Sequence, residues 1–308
     1  MYRRRGGSIV VSLTVALVAV VQSPRFSWAG QIGVVVPSYF YPGTGGPGGT
    51  GDGWAAMAAA AGQVPVTAVL NPNSGPLAGP ADPSYVTAMT NLENAGGKVV
   101  AYVYTNNGSA PLATVESQVS TYITQYGSQI NGFFLDGMYV TPGTLSYYQS
   151  LASYIKGLNA SYTIIGNPGQ PYLNGVSAAN YLSTADVFNI FEGTNSGASG
   201  FNTFPFGQNW YQSYPPGRFS SIIYGTSTVS AMLADVSDAA QLDIGNVYVT
   251  DQTGSNPYAE LPSYWDQEVS AIASVPEPSP AAFVLLLGSV VTLARRRRGR
   301  GPLPRFST

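Results

Sequence analysis

Three acidic residues each follow a short apolar run: Asp136 after Phe133-Phe134-Leu135, Glu192 after Phe188-Asn189-Ile190-Phe191, and Asp251 after Val247 to Thr250. An acid at the rim of an apolar wall loses hydration, which raises its pKa and can keep a proton available near neutral pH. Any one of them could equally cap the next helix, whose N-terminus favours an anion. Three on one face shift the balance towards a site. The 308-residue chain contains no His and no Cys, so Ser-His-Asp and Cys-His triads, His-ligated zinc, thiol redox chemistry and disulfides are all excluded. No cofactor or metal is expected. Asp251 with Asn256 and Asp235 with Asp238 are the nearest approaches to a cation site, but they match no calcium loop and read as solvated surface.

Polar and aromatic residues gather at the same sequence positions as the acids. Candidate ligand contacts are Tyr39, Asn71, Tyr104, Asn106, Tyr139, Asn167, Tyr224, Asp251 and Gln252, with Tyr41, Tyr172, Trp210 and Tyr258 close by in sequence. Flat rings carrying a hydroxyl suit pyranose faces, and they suit peptides or core packing as well. Tyr102 and Tyr248 fall inside apolar runs and read as core.

These residues need a scaffold that brings distant segments to one place. Eight β-rich apolar runs begin at Ile32, Val66, Val99, Gly132, Thr163, Val187, Ser221 and Val247. Each is followed by a Gly/Pro/Asn-rich turn and a segment with helical periodicity, and the spacing fits one strand, one crossover helix and a return loop. Continuous rather than alternating apolar runs indicate strands covered on both faces, hence a parallel sheet. Helices are expected over 82–95, 111–126, 145–158, 229–242 and 263–272, with one apolar stripe running through Leu112, Val115, Val119, Tyr122, Ile123 and Tyr126. The fold class is therefore α/β, a single (β/α)8 TIM-type barrel over 30–274, whose site would sit at the C-terminal ends of the strands. A doubly wound open sheet is the alternative, but it more often carries a phosphate loop after its first strand. The segment Gly43 to Gly53 has no such motif and reads as a floppy insertion.

The formal net charge of −2 conceals unlike parts. Between Gly30 and Ser274 only Lys98, Lys156 and Arg218 oppose 14 carboxylates, a balance of −11. Such a body repels phosphates, so nucleic acid is not an expected partner. Arg3 to Arg5, the apolar run Ile9 to Val21 and Ser27-Trp28-Ala29 read as a signal peptide over 1–29. Val275-Pro276-Glu277-Pro278, an apolar stretch from Ala281 to Ala294 and Arg295 to Arg298 occupy 275–308. This tail resembles the PEP-CTERM sorting signal, with its short apolar helix. The resemblance implies an exported protein of the envelope or extracellular matrix, tethered transiently to the membrane before an exosortase removes the tail. A plain membrane anchor is the alternative at each end, although both apolar runs are shorter than the ~20 residues of a spanning helix.

The segments VVVPSYFYP (34–42), VTAVLNPNSGP (66–76), KVVAYVYTNNG (98–108), INGFFLDGM (130–138), YTIIGNPG (162–169), DVFNIFEGT (186–194), SSIIYGTS (220–227) and VYVTDQTGSNPY (247–258) together resemble spherulation-specific family 4. That resemblance implies a barrel that hydrolyses exopolysaccharide of galactosamine and N-acetylgalactosamine. It assigns Glu192 as proton donor and Asp136 as nucleophile, base or positioner. The family pattern pairs an Asp with a Glu after strand four, and here the second position is Gly137. Glycosidases ordinarily need two carboxyls. Asp136 with Glu192 as a reduced pair, a substrate-assisted route, and a barrel that binds sugar or serves the matrix without cutting all remain open from sequence. Gly137→Glu is the substitution expected to separate cutting from binding.

Overall fold

The computed structural model describes residues 31–275. The leader expected over 1–29, and all but Val275 of the tail expected over 275–308, lie outside the described residues. Eight strands form one parallel sheet in sequence order: β1 (Val34–Ser38), β2 (Val66–Leu70), β3 (Lys98–Tyr104), β4 (Gly132–Asp136), β5 (Thr163–Gly166), β6 (Val187–Thr194), β7 (Phe219–Tyr224) and β8 (Asn246–Val249). Every residue of β1, β2 and β8 is buried, as continuous apolar runs demand when helices cover one face and the barrel interior lies on the other.

The ring is nearly closed. Gly33 bridges Asn246 in parallel, with Gly33 N–H donating to Gly245 O at 2.9 Å and Val247 N–H to Gly33 O at 3.0 Å. Further up the seam, Val249 N–H donates to the Glu268 carboxyl Oε1 at 2.7 Å. A side chain thus completes the ladder where β8 and β1 part.

The outer layer comprises α1 (Gly53–Ala60), α2 (Pro83–Asn94), α3 (Leu112–Tyr126), α4 (Leu145–Leu158), α5 (Ala178–Leu182), α6 (Val229–Gln241) and α7 (Trp265–Ser274). Their starts are chemically marked: Asp52, Asp82, Ser177 and Thr228 accept backbone N–H groups of the first turns of α1, α2, α5 and α6, the usual preference for short oxygen-bearing side chains at that position. Along α3 the expected stripe buries Val115, Val119, Tyr122 and Tyr126. Burying a side chain of that size stabilises by roughly 1.5–3 kcal/mol.

Two expectations need correction. Between β6 and β7 there is no α-helix among the described residues; 195–218 instead forms 3-10 turns at Phe201–Thr203, Trp210–Ser213 and Pro216–Arg218. Glycines at 197, 200, 207 and 217 and prolines at 205, 215 and 216 interrupt any helix. The segment is anchored by aromatic packing: Phe191 meets Phe201 at 5.0 Å and Phe204 at 5.6 Å. The glycine-rich segment 43–53 is likewise no floppy insertion. It folds back through a Gly45–Asp52 antiparallel bridge, and a Cβ at Gly45 would stand 2.3 Å from the Phe40 ring.

Candidate active site

Asp136 is the last residue of β4, Asn167 follows β5, and Glu192 lies near the end of β6. Adjacent parallel strands in register bring their ends together at one mouth, and the ladder continues past them through Asn167 N–H to Leu135 O and Met138 N–H to Asn167 O. The Asn167 amide nitrogen donates to Asp136 Oδ1 at 2.8 Å and to Glu192 Oε2 at 2.5 Å. One NH2 group therefore serves both acids, and the facing oxygens can be no farther apart than these two bonds laid end to end. The facing oxygens are thus held closer than the about 6.5–9.5 Å that leaves room for water between carboxyls.

Each acid has a phenol as its second partner. Tyr102 O–H donates to Asp136 Oδ2 at 2.7 Å, and Tyr258 O–H donates to Glu192 Oε1 at 2.6 Å. Burial, with the neighbouring carboxylates, pushes both phenols well above their ordinary pKa, so they stay protonated donors. Glu192 is also pushed up, chiefly by desolvation; the Tyr258 and Asn167 hydrogen bonds oppose the rise and the Asp136 charge adds to it. A carboxyl held up in this way can give a proton to a leaving oxygen. Asp136 receives a donor on each oxygen, from Asn167 and Tyr102.

Asn167 is oriented in turn. Its amide oxygen accepts from Asn189 Nδ2 at 2.8 Å, which fixes the NH2 side towards the acids. Asn189 and Glu192 are three residues apart on β6, and flat alternation would send them to opposite faces. The register shift between Asn189 and Phe191 turns both towards Asn167, the usual effect of a bulge.

The other expected contact residues are placed unevenly. Tyr39 packs edge-on to Tyr102 at 5.8 Å and to Tyr258 at 5.6 Å, and Tyr224 meets Tyr258 at 6.5 Å; both border the phenols that hold the acids. Asn167 is buried between the carboxyls instead of standing free for ligand. Tyr104 and Tyr139 are half-exposed. The Tyr104 hydroxyl points to Asn106 Oδ1 at 3.4 Å, and Asn106 holds a left-handed φ of 48°. The Asn71 amide oxygen accepts from Gly75 N–H at 3.0 Å. Asp251 accepts from Ser263 and, at 3.3 Å, from Gln252, so it tethers the approach to α7 and makes no hydrogen bond to the Asp136–Glu192 cluster.

Three residues carry more of the site than their sequence positions announced. Tyr102 lies within a strand, as a core residue would, yet its hydroxyl reaches Asp136. Tyr258 approaches Glu192 from a loop 66 residues away in sequence. Asn189 sits inside an apolar run, and a buried amide there was the available signal. Asp235, expected on a solvated surface, is only 3% exposed and accepts from Asn195 at 2.6 Å and Thr226 at 2.9 Å.

Gly137 has φ 59°, and a Cβ there would lie 2.5 Å from Tyr104 Cε2. The ring of Tyr104 already covers the place a side chain would leave from, so Gly137→Glu is not the simple restoration that sequence suggests.

An α/β barrel with two acids bridged at the C-terminal ends of its strands carries its polar cluster where (β/α)8 barrels build their sites. The sequence model of spherulation-specific family 4 matches residues 33–272, and the chain belongs to that family. Spherulin-4 of Physarum polycephalum is 32% identical over 251 residues, covering 78% of this chain and 70% of that protein. Among solved structures, Aspergillus clavatus Sph3, determined in complex with GalNAc, is similar with a TM-score of 0.62 and 25% identity, covering 80% of this chain and 98% of Sph3.

Proposed function

We propose that the protein is an exported glycoside hydrolase that cuts a polysaccharide of galactosamine and N-acetylgalactosamine, with Glu192 donating the proton and Asp136 attacking or stabilising the anomeric centre. The observation that carries this reading is the single Asn167 amide shared by two carboxyls at the strand ends. Similarity to Sph3, which was solved in complex with GalNAc, supports the choice of sugar. The short spacing supports a retaining route. Incubation with a partly N-acetylated galactosamine polymer should release reducing ends whose first-formed anomer keeps the configuration of the bond cut, as read by proton NMR. Glu192→Gln should lower the rate by about 10²- to 10⁴-fold. Wild-type release no faster than that of a variant lacking both acids would end the proposal.

A second reading, sugar binding without turnover, is favoured by Gly137, which has no side chain where the family resemblance implies a Glu. Undiminished polymer binding with no new reducing ends would select it. For either reading we propose export under the 1–29 leader and transient tethering through the 275–308 tail to a membrane and an exosortase. Mass spectrometry of the mature ends tests this.

A further inference from the structure

Tyr41 lies outside the acid cluster and takes no part in the chemistry above. It stands two residues beyond Tyr39 on the loop after β1, so its backbone is within about 7 Å of that of Tyr39. Tyr39 in turn packs against Tyr102 and Tyr258, the phenols that hold Asp136 and Glu192. The Tyr41 side chain is 46% exposed, yet it is not free to turn. Its hydroxyl donates to the Asp82 carboxylate at 3.0 Å and lies 2.9 Å from Ser84 Oγ, and its ring meets Tyr85 edge-on at 5.4 Å. Tyr85 is backed by Trp54 at 6.0 Å, and Asp82 is fixed by accepting Ser84 N–H at 2.8 Å as the cap of α2.

An aromatic ring left in water but already immobilised loses little conformational freedom on binding. With its hydroxyl satisfied at the rim, it has an apolar face to offer, the surface that a pyranose ring covers. Exposed tyrosines continue around the same mouth at Tyr104 and Tyr139. We propose that Tyr41 is a stacking platform for a sugar unit beyond the two that flank the bond at Asp136 and Glu192, a role that rests on the glycosidase reading of the site.

The test uses the full chain carrying Glu192→Gln, so that nothing is cut, titrated calorimetrically with a hexasaccharide and a disaccharide of N-acetylgalactosamine. Tyr41→Ala should weaken the hexasaccharide by about two- to tenfold and leave the disaccharide unchanged. Tyr41→Phe, which keeps the ring and loses its pins, should fall between. Equal affinities of Tyr41→Ala and its parent for both sugars would overturn the platform, as would an equal loss for both. A parent that binds neither sugar would instead overturn the glycosidase reading, and the platform with it.

Discussion

Tyr258 shows how a neutral side chain sets the pH range of an acid. Its O–H bond to Glu192 favours the ionised carboxylate, opposing the upward push of desolvation. Tyr258→Phe removes that opposition without leaving a cavity, so the Glu192 pKa should rise further and the alkaline limb of kcat/KM should move to higher pH. Loss of one hydrogen bond to a charged group should also lower kcat by about tenfold. A pH–rate profile on an amino-sugar polymer checks both, and an unmoved alkaline limb would remove Glu192 from the acid role. Gly137 works at the same scale. Placing Glu there forces a left-handed φ on a side-chain residue and displaces the Tyr104 ring. Gly137→Glu should therefore cost about 1–2 kcal/mol of stability, read by denaturant unfolding, whatever it does to activity.

Asp235 ties elements together: from α6 it accepts Asn195, beyond β6, and Thr226, beyond β7. Burial raises its pKa to about 6, above the ordinary value near 4 of an unfolded chain. The folded state thus binds the extra proton, and stability falls as pH rises through about 4 to 6. Asp235→Asn should flatten that fall and leave the variant relatively more stable above pH 6, measured as denaturation midpoints across the range. Parallel slopes for both proteins would refute the assignment. The strands carrying these residues were legible because buried parallel strands read as unbroken apolar runs, and Asp136 and Glu192 stood out as charges ending them. Orientation was harder to read. Tyr102 looked like core because a strand position does not say whether a phenol ends in oil or against a carboxylate. The partnership of Asn189 with Glu192 depends on a bulge that no residue in the run announces. The β6–β7 connection departs from the repeating strand–helix pattern, and spacing alone cannot distinguish a helix from an aromatic-packed loop of similar length.

Across the described residues as a whole, the cations are sorted by face. Lys98 begins β3, Lys156 ends α4 beside Asp186 at 2.6 Å, and Arg218 precedes β7 and donates to the carbonyls of Leu182, Ala185 and Asp186. All three described cations therefore occupy the face opposite the carboxyl pair. A polymer of uronic acid should bind far more weakly than a neutral or amine-bearing one, and added salt should weaken binding of the amine-bearing polymer while sparing the neutral one. Comparative titrations at low and high ionic strength check this, and tight uronate binding would contradict it. The seam between β8 and β1 has a mechanical corollary. The Glu268 side chain that fills it belongs to α7, the helix from which the chain leaves at Val275. Traction on whatever lies beyond would travel along α7 to the least self-bonded pair of staves, so a tug at that end would open the cylinder there first.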